Sequence, residues 1–500
     1  MPWLPRPTLP ALVLAGLLAA CGTTVVNPVS GRAERTVMSE ADELAEGRQA
    51  HARVLAEYGR YEHPRLQAYV DALGQKLARQ SHRQQLAWTF TVLDSPEVNA
   101  FALPGGYVYV TRGILAYLGS EAELAGVVGH EIGHVTARHG AQRATRQQAA
   151  GIGVLAATVL GAVLEGGGVR GATDLASQVS QAAAAGYVAS YSRDQELQAD
   201  QLGAEYLARS EYDPQHMVDV IGMLQRQERF AADTARAEGR SAPAGANWLS
   251  SHPSNAQRLD EIRRIAGGYP EAVRADDGRA RYLAAIDGIV FGESPAQGLV
   301  RGRQFLHPGL DIALTAPAGW ALRNGADALV LAAPAGDAAL VLRAVPPGSG
   351  STHDEIIRKL VQPLDGRAER RSLNGLAATQ FSGTRRGAQG VVQPVRLTVV
   401  TGPGQRHFLL LHAARDAVAL RRAGPALAEA EGSFRAMTAA DRQAARPWTL
   451  QRVAMPRGGF AELAAATPLG PQAEAQLRLL NGVYGGGADP QPGTPVKTVR

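Results

Sequence analysis

Apolar residues between Ser120 and Gly140 recur at helical spacing. At about 100° per residue, Leu124, Val127, Val128, Ile132 and Val135 form one apolar stripe. Gly126, Gly129, Gly133 and Ala137 form a second face of small residues. Ser120 with Glu123 makes a capping box, and Gly140 is a natural stop. Interior glycines each cost about 1 kcal/mol against alanine in a helix. Three of them predict a neighbouring element packed tightly on that face. The stretch is therefore expected to be a buried central helix, packed on two sides.

The rest of the chain sorts by period. Met38 to Tyr58 and Pro64 to Gln80 are predicted helices, the second carrying Leu66, Val70, Leu73 and Leu77 at helical spacing. Leu86 to Leu93 alternates and is rich in β-formers, so it is predicted to be a strand. Glu97 to Leu103 and Tyr107 to Thr111 are further strands, joined by a turn at Pro104-Gly105-Gly106. Another helix opens at Tyr191, with Ser192 and Gln195 as its capping box. Glu196, Asp200, Gly203 and Leu207 share one stripe of it, and Gly203 would let it approach another helix. Trp248 to Ile265 holds a helix with Ser254 as its N-cap.

Ala149 to Leu164 is an apolar run just short of a membrane span. It is expected to be a buried helix or a cover bracketed by glycines, with a membrane crossing as the alternative. Beyond about Gly292 strands and turns dominate: Leu310 to Thr315, Ala328 to Ala333 and Ala338 to Val345. A helix at His353 to Leu364 follows. Strands come near Ala377 to Gly383, Val391 to Thr401 and His407 to Ala414, and then a helix capped by Asp416.

The chain has 500 residues, 45% hydrophobic and 19% charged, which suits two or three globular domains. Its net charge of +5 is small, and no basic patch with interleaved aromatics stands out, so no nucleic-acid partner is expected. The single cysteine, Cys21, follows a short apolar run, Ala11 to Ala20, suited to a signal peptide. The ending Leu18-Ala19-Ala20-Cys21 resembles the bacterial lipoprotein signal, which implies lipidation at Cys21. Gly22 after it favours the outer membrane under the usual sorting rule. Within the mature chain no disulfide can form.

Candidate chemistry concentrates on the central helix. His130-Glu131-Ile132-Gly133-His134 is the H-E-x-x-H pattern of zinc peptidases. Residues four apart share a helix face, so His130 and His134 can grip one metal, with Glu131 beside them as a base. Five letters also recur by chance in ordinary packed helices. A catalytic zinc usually takes three protein ligands. The spacing that gives metzincins a third histidine is absent, since Ala137 and Gly140 stand in its place. His139 lies about 180° around the helix from His130 and is read as a structural or surface histidine. Glu196 on the second helix is the alternative ligand, with Asp200 one turn on and placed to hold a histidine by its free nitrogen. A solvated acidic face is the plain reading of that pair.

Residues 36 to about 268 resemble the BepA-like periplasmic zinc metalloproteases, gluzincins related to HtpX and the CAAX prenyl endopeptidase. The matching stretches begin with Asn99-Ala100-Phe101-Ala102-Leu103-Pro104-Gly105-Gly106 and Tyr109-Val110-Thr111-Arg112-Gly113. They continue with the H-E-x-x-H helix, Tyr191-Ser192-Arg193, Glu196, Ala199-Asp200, His252-Pro253 and Arg258. The family usually has glutamate where this chain has Gln198. The resemblance implies one zinc per chain, with His130, His134 and Glu196 as ligands and Glu131 as general base. Asp200, Tyr191, Arg193, His252 and Arg258 are then candidates for support around the metal or the transition state. His252 could also fill the fourth zinc position and inhibit the resting enzyme. Asn99, Ala100 and Phe101 could pair with an extended substrate.

The expected architecture is multidomain, mainly α in a zincin-type peptidase domain with a small β-sheet, then an α+β domain and a small C-terminal module. The boundaries are a signal peptide at 1–20, a polar tether at 21–35, the peptidase at 36–290, the α+β domain at 299–440 and the module at 447–500. The α+β domain faintly resembles PsbP-like domains, through Phe305-Leu306-His307-Pro308 and Pro317-Ala318-Gly319-Trp320. The last module resembles a divergent LysM repeat, through Gly458-Gly459-Phe460 and Leu479-Leu480-Asn481-Gly482. The expected function is zinc-dependent cleavage of unfolded or misassembled outer-membrane proteins at the periplasmic face of the outer membrane in a Gram-negative-type bacterium. The expected partners are those substrates, the membrane through the lipid anchor, and peptidoglycan or the envelope assembly machinery. The alternative is a chaperone-like or envelope-binding lipoprotein with a latent peptidase.

Overall fold

A computed structural model describes residues 23–27, 29–145, 191–237, 248, 252, 256–269, 276–325, 328–386 and 392–500. The signal-peptide run with Cys21, the apolar run from Ala149 to Leu164, and Ser254 lie outside these residues. The chain divides into two compact units: Met1–Ile289 with Thr449–Arg500, and Val290–Trp448.

The first unit is mainly helical around a small sheet. Residues expected as a tether instead form a hairpin, β1 (Thr23–Val26) against β2 (Ala33–Thr36). Helix α1 (Glu40–Tyr58) starts in a complete capping box of Ser39 and Asp42. Helix α2 (Pro64–Ala78) has proline in its first turn, where the missing N–H costs nothing. Its stripe Leu66, Val70, Leu73 and Leu77 is buried as its spacing predicts. Strand β3 (Thr89–Leu93) is shorter than expected, because Leu86 and Trp88 are spent on a turn after Arg83. Strands β4 (Ala100–Leu103) and β5 (Tyr107–Thr111) form a hairpin around Gly105 and Gly106, whose positive φ values of 84° and 96° suit glycine. β3 pairs in parallel with β5, so the order β3-β5-β4 leaves β4 on an edge.

Short α3 (Arg112–Tyr117) leads into the central helix α4 (Glu121–Thr136). Ser120 caps α4 by accepting from Glu123 N–H, but the Glu123 carboxylate returns to Gly119 N–H at 2.7 Å, so the capping box is incomplete. Helices α5 (Arg193–Arg209), α6 (His216–Ala237), α7 (Ala256–Gly267) and α8 (Arg279–Ala285) complete the helical part. The capping box of Ser192 and Gln195 forms as predicted. Among the described residues no helix is long and apolar enough to cross a membrane.

Residues 447–500 were expected to stand apart, yet Thr449–Arg500 belong to the first unit. The strand Trp448–Ala454 pairs antiparallel with Pro495–Val499, and helices Gly459–Ala465 and Ala473–Leu480 lie between them in sequence. Lys497 fastens this segment down. Its Nζ is buried and donates to Ala116 O at 2.8 Å and Leu118 O at 2.7 Å, just ahead of α4.

The second unit is built on antiparallel β-sheet. Seven strands run in the order Ala321–Asn324, Leu329–Ala332, Ala338–Ala344, His407–Ala414, Val392–Thr401, Leu376–Arg386, Pro363–Leu373. A four-stranded sheet includes Gln304–His307 and Ile312–Thr315. Leu331, Leu340, Phe408, Leu410, Leu427 and Phe434 are among its core residues. Helix Ala417–Gly432 starts at Asp416 as predicted. The helix at His353 stops early, at Val361, because Gln362 turns left-handed with φ 49°. Pro363–Leu373 then forms a strand that no apolar alternation announces, since nearly all of it is exposed.

The buried Lys497 yields a stability prediction. Burial lowers its pKa to about 7, against the pull of Glu123. The folded chain therefore binds this proton more weakly than the unfolded chain, in which lysine sits near ~10.4. Stability from this group is full above the unfolded value, falls as pH drops between the two values, and changes no further below about 7. Chemical denaturation of wild type and Lys497→Met from pH 7 to pH 10 should show the corresponding rise in wild type only.

Candidate metal centre

The site depends first on how closely α4 and α5 approach. A Cβ on Gly133 would sit 2.7 Å from Ala199 O, and one on Gly129 would sit 2.7 Å from Leu207 Cδ1. From the other side, a Cβ on Gly203 would sit 3.1 Å from His130 N. The small face of α4 is thus pressed on the α5 backbone, as the glycine pattern predicts. His130 and His134 from α4 and Glu196 from α5 meet across this contact.

His130, His134, Glu196 and His252 are all buried, and their donor atoms lie within 4.8 Å of one another. His130 Nε2 is 3.0 Å from His134 Nε2, 3.2 Å from His252 Nδ1 and 3.6 Å from Glu196 Oε2. His134 Nε2 is 3.5 Å from Glu196 Oε1, and His252 Nδ1 is 3.0 Å from the same oxygen. Tetrahedral zinc with bonds of about 2.0–2.1 Å would separate its ligand atoms by about 3.3 Å. The observed spacings bracket that value.

Two further observations fit a divalent cation. Glu131, Glu196 and Asp200 are buried carboxylates, and among the described residues Arg258 is the one buried guanidinium that contacts Glu196 and Asp200. That leaves two formal negative charges for a cation to balance. His130 Nδ1 lies 2.9 Å from Asp200 Oδ1, so its proton faces the carboxylate and its Nε2 lone pair faces the cluster. A lone pair aimed into a buried cluster calls for an electrophile.

The surroundings tune these groups. Arg258 donates to Asp200 from Nε at 2.7 Å and Nη2 at 2.9 Å, and its Nη1 lies 2.7 Å from Glu196 Oε2. Burial pushes Asp200 up, but Arg258 and His130 hold it far below the usual carboxylate range. Glu196 is likewise lowered: burial opposes, and His252 and Arg258 prevail. His134 is driven well down, by burial first and by its neighbouring imidazoles next. For His252 burial opposes the charge, yet Glu196 and Glu131 raise its pKa on balance. Glu131 Oε1 accepts from Trp248 Nε1 at 2.9 Å, while buried Glu131 Oε2 has no hydrogen-bond partner.

The remaining expected residues divide. Tyr191 stacks on His134, with ring centroids 4.0 Å apart, and lies 5.3 Å from His252. Arg193 is exposed at the start of α5. Arg258 is spent on the two carboxylates. Asn99 precedes β4, where Ala100 and Phe101 sit on the sheet edge, and Phe101 stacks on Tyr109 at 4.8 Å. Two contacts escaped the sequence reading. Trp248 bonds Glu131 although it lies far from the motif in sequence. His139 is fully buried, which fits the structural and not the surface alternative, and its Nδ1 lies 2.8 Å from His134 Nδ1. The helical-wheel reading of His139 fails because α4 ends at Thr136, and Arg138, with φ 56°, turns the chain back.

Residues 64–266 match peptidase family M48. This stretch is an M48 peptidase domain. The beta-barrel assembly-enhancing protease of Escherichia coli (strain K12) is 30% identical over 207 residues, covering 41% of this chain and 39% of that protein. Its Yersinia pestis counterpart is 29% identical over 207 residues, with the same coverage. The mitochondrial metalloendopeptidase OMA1 of Schizosaccharomyces pombe is 32% identical over 250 residues, 49% of this chain and 66% of that protein. The chain thus spans about two fifths of the bacterial relatives' length. M48 peptidases use zinc, and the donor set of this M48 domain suits it.

The helix contact makes opposite predictions for two glycines of α4. Gly133→Ala gains about 1 kcal/mol of helix propensity but must push α5 away, an overpacking cost of about 1–3 kcal/mol. It should lower the melting temperature and weaken zinc binding, since Glu196 rides on α5. Gly126→Ala meets only Met217 at 3.4 Å, an ordinary contact, and should be neutral or stabilising. Thermal melts with chelator competition check both.

Proposed function

We propose that the chain is a zinc-dependent endopeptidase in which His130, His134 and Glu196 hold the metal and Glu131 is the general base. The convergence of those donors between α4 and α5 carries the reading. Zinc held there supplies Lewis acidity, lowering the pKa of water and polarising a peptide carbonyl. Glu131 takes a proton from that water through the unpartnered Oε2 and later gives it to the leaving amine. Trp248 holds the other oxygen and keeps the carboxylate oriented. Tyr191 borders His134 and can donate to developing negative charge from its hydroxyl. The edge strand β4 offers unpaired backbone groups to an extended substrate, which binds with little demand on its sequence.

The substrates proposed are unfolded or misassembled envelope proteins, in keeping with the names of the bacterial relatives. Lipid on Cys21 would hold the enzyme at the periplasmic face of the outer membrane. A second reading, a latent peptidase with a chaperone-like role, draws support from His252. Its Nδ1 stands among the donors, and four protein ligands make a closed site, whereas catalysis needs one position open.

Glu131→Gln should retain zinc while casein cleavage falls by about 10²–10⁴-fold, the usual worth of a general base. Unchanged cleavage by zinc-free protein would sink the assignment. His252→Ala should cleave casein faster than wild type if His252 closes the site, and an unchanged rate would remove the latent reading.

A further inference from the structure

We propose that Asn27, Gln198 and His139 form a polarised hydrogen-bond chain that fixes the ring of His134 with its Nε2 bare toward the metal. The inference rests on His134 being a ligand, as proposed above. The chain starts in the β1–β2 hairpin. Buried Asn27 accepts at Oδ1 from Val29 N–H at 2.8 Å and Ser30 N–H at 3.1 Å. With the oxygen so employed, the amide NH₂ faces the other way. There it donates to Glu34 Oε1 at 2.9 Å and Gln198 Oε1 at 3.1 Å.

Gln198 Oε1 is therefore an acceptor, and it also lies 3.0 Å from His139 Nε2. A ring nitrogen that faces an amide oxygen must carry the hydrogen. His139 is then the Nε2–H tautomer, with a lone pair on Nδ1. That Nδ1 is 2.8 Å from His134 Nδ1 on the side away from the donor cluster, so a proton has to lie between them, whereas the 3.0 Å pair of His130 and His134 Nε2 faces the proposed cation. The proton has to be on His134, which leaves His134 Nε2 bare beside His130 and Glu196. Each link sets the polarity of the next, from two backbone amides to a ligand lone pair.

The two histidines of the motif are thus oriented differently. Asp200 holds His130 with a full negative charge, whereas His134 is held by a neutral imidazole backed by a neutral amide. His139 and Gln198 are positioning residues, since neither joins the donor cluster. The arrangement also links the amino-terminal hairpin to the centre. Anything that pulls β1–β2 away from α5 removes Asn27 from Gln198 and leaves the His139 tautomer less constrained.

The test is zinc affinity by chelator competition, with the melting temperature of each metal-free protein measured alongside. His139→Leu should bind zinc roughly 10–100-fold more weakly, the usual effect of losing a partner behind a metal-bound histidine. His139→Asn keeps an acceptor near the Nδ1 position and should stay close to wild type. Gln198→Leu should fall between them. Equal zinc affinity for His139→Leu and wild type overturns the proposal. So does a loss in His139→Asn as large as in His139→Leu, which is what packing alone predicts. Zinc loss that merely follows the metal-free melting temperature across the variants overturns it too. A wild type that binds no zinc instead refutes the reading of the metal site, and the chain behind it falls with that reading.

Discussion

The whole centre depends on one steric condition: α4 and α5 must come close enough for backbone to touch backbone. Gly129 meets the Leu207 side chain and the Gly203 backbone there, Gly133 meets the Ala199 backbone, and neither glycine leaves room for a Cβ of its own. Interior glycines weaken an isolated helix. Here they are tolerated because α4 is buried at every position except Glu123 and its neighbours hold it in shape. The gain is reach. A glutamate has two methylene groups to span the gap, and only at this separation do its oxygens arrive beside two imidazoles.

Such an approach concentrates charge in a buried place. Buried carboxylates are stable only when each has a counter-charge. Arg258 serves Asp200 with two donors and Glu196 with its third nitrogen, so one side chain holds together the second layer and the first. The metal is the remaining counter-charge. Glu196 also faces His252, whose pKa is opposed by burial but raised on balance by Glu196 and Glu131.

The parts of this arrangement that were legible in the sequence share one property: they follow from periodicity within a single helix. The apolar stripe of α4, its glycine face, the capping box of α5 and the pairing of His130 with His134 all depend on residues three or four apart. His139 could not be placed in the same way, because the wheel holds only while the helix continues. The left-handed Arg138 breaks it two residues past the last helical residue. Trp248 and His252 reach the centre from a distant segment, so no local pattern marks their contacts with Glu131 and His130. The hairpin at Thr23–Thr36 looked like a tether because its strands are short and polar. It folds because Asn27, Glu34 and Thr36 find partners on Gln198, Gln142 and Thr145. The strand Pro363–Leu373 was hidden for the opposite reason: it buries almost nothing, and its neighbour alone gives it shape.

The chain leaves the peptidase unit at Ile289 and re-enters it at Thr449, and Leu450 N–H donates to Ile289 O at 2.8 Å. That contact closes a very long loop, and loop entropy makes it an expensive one to form from an open chain. Kinetically, long-range pairings of this kind are slow. The second unit has its own core, so it can collapse first and replace a floppy loop by a compact insert. The lysine latch ahead of α4 belongs to the returning segment. The segment just ahead of α4 therefore takes part of its support from residues that follow the insert in the chain, so the two ends of the first unit cannot be fully joined until the insert has been made.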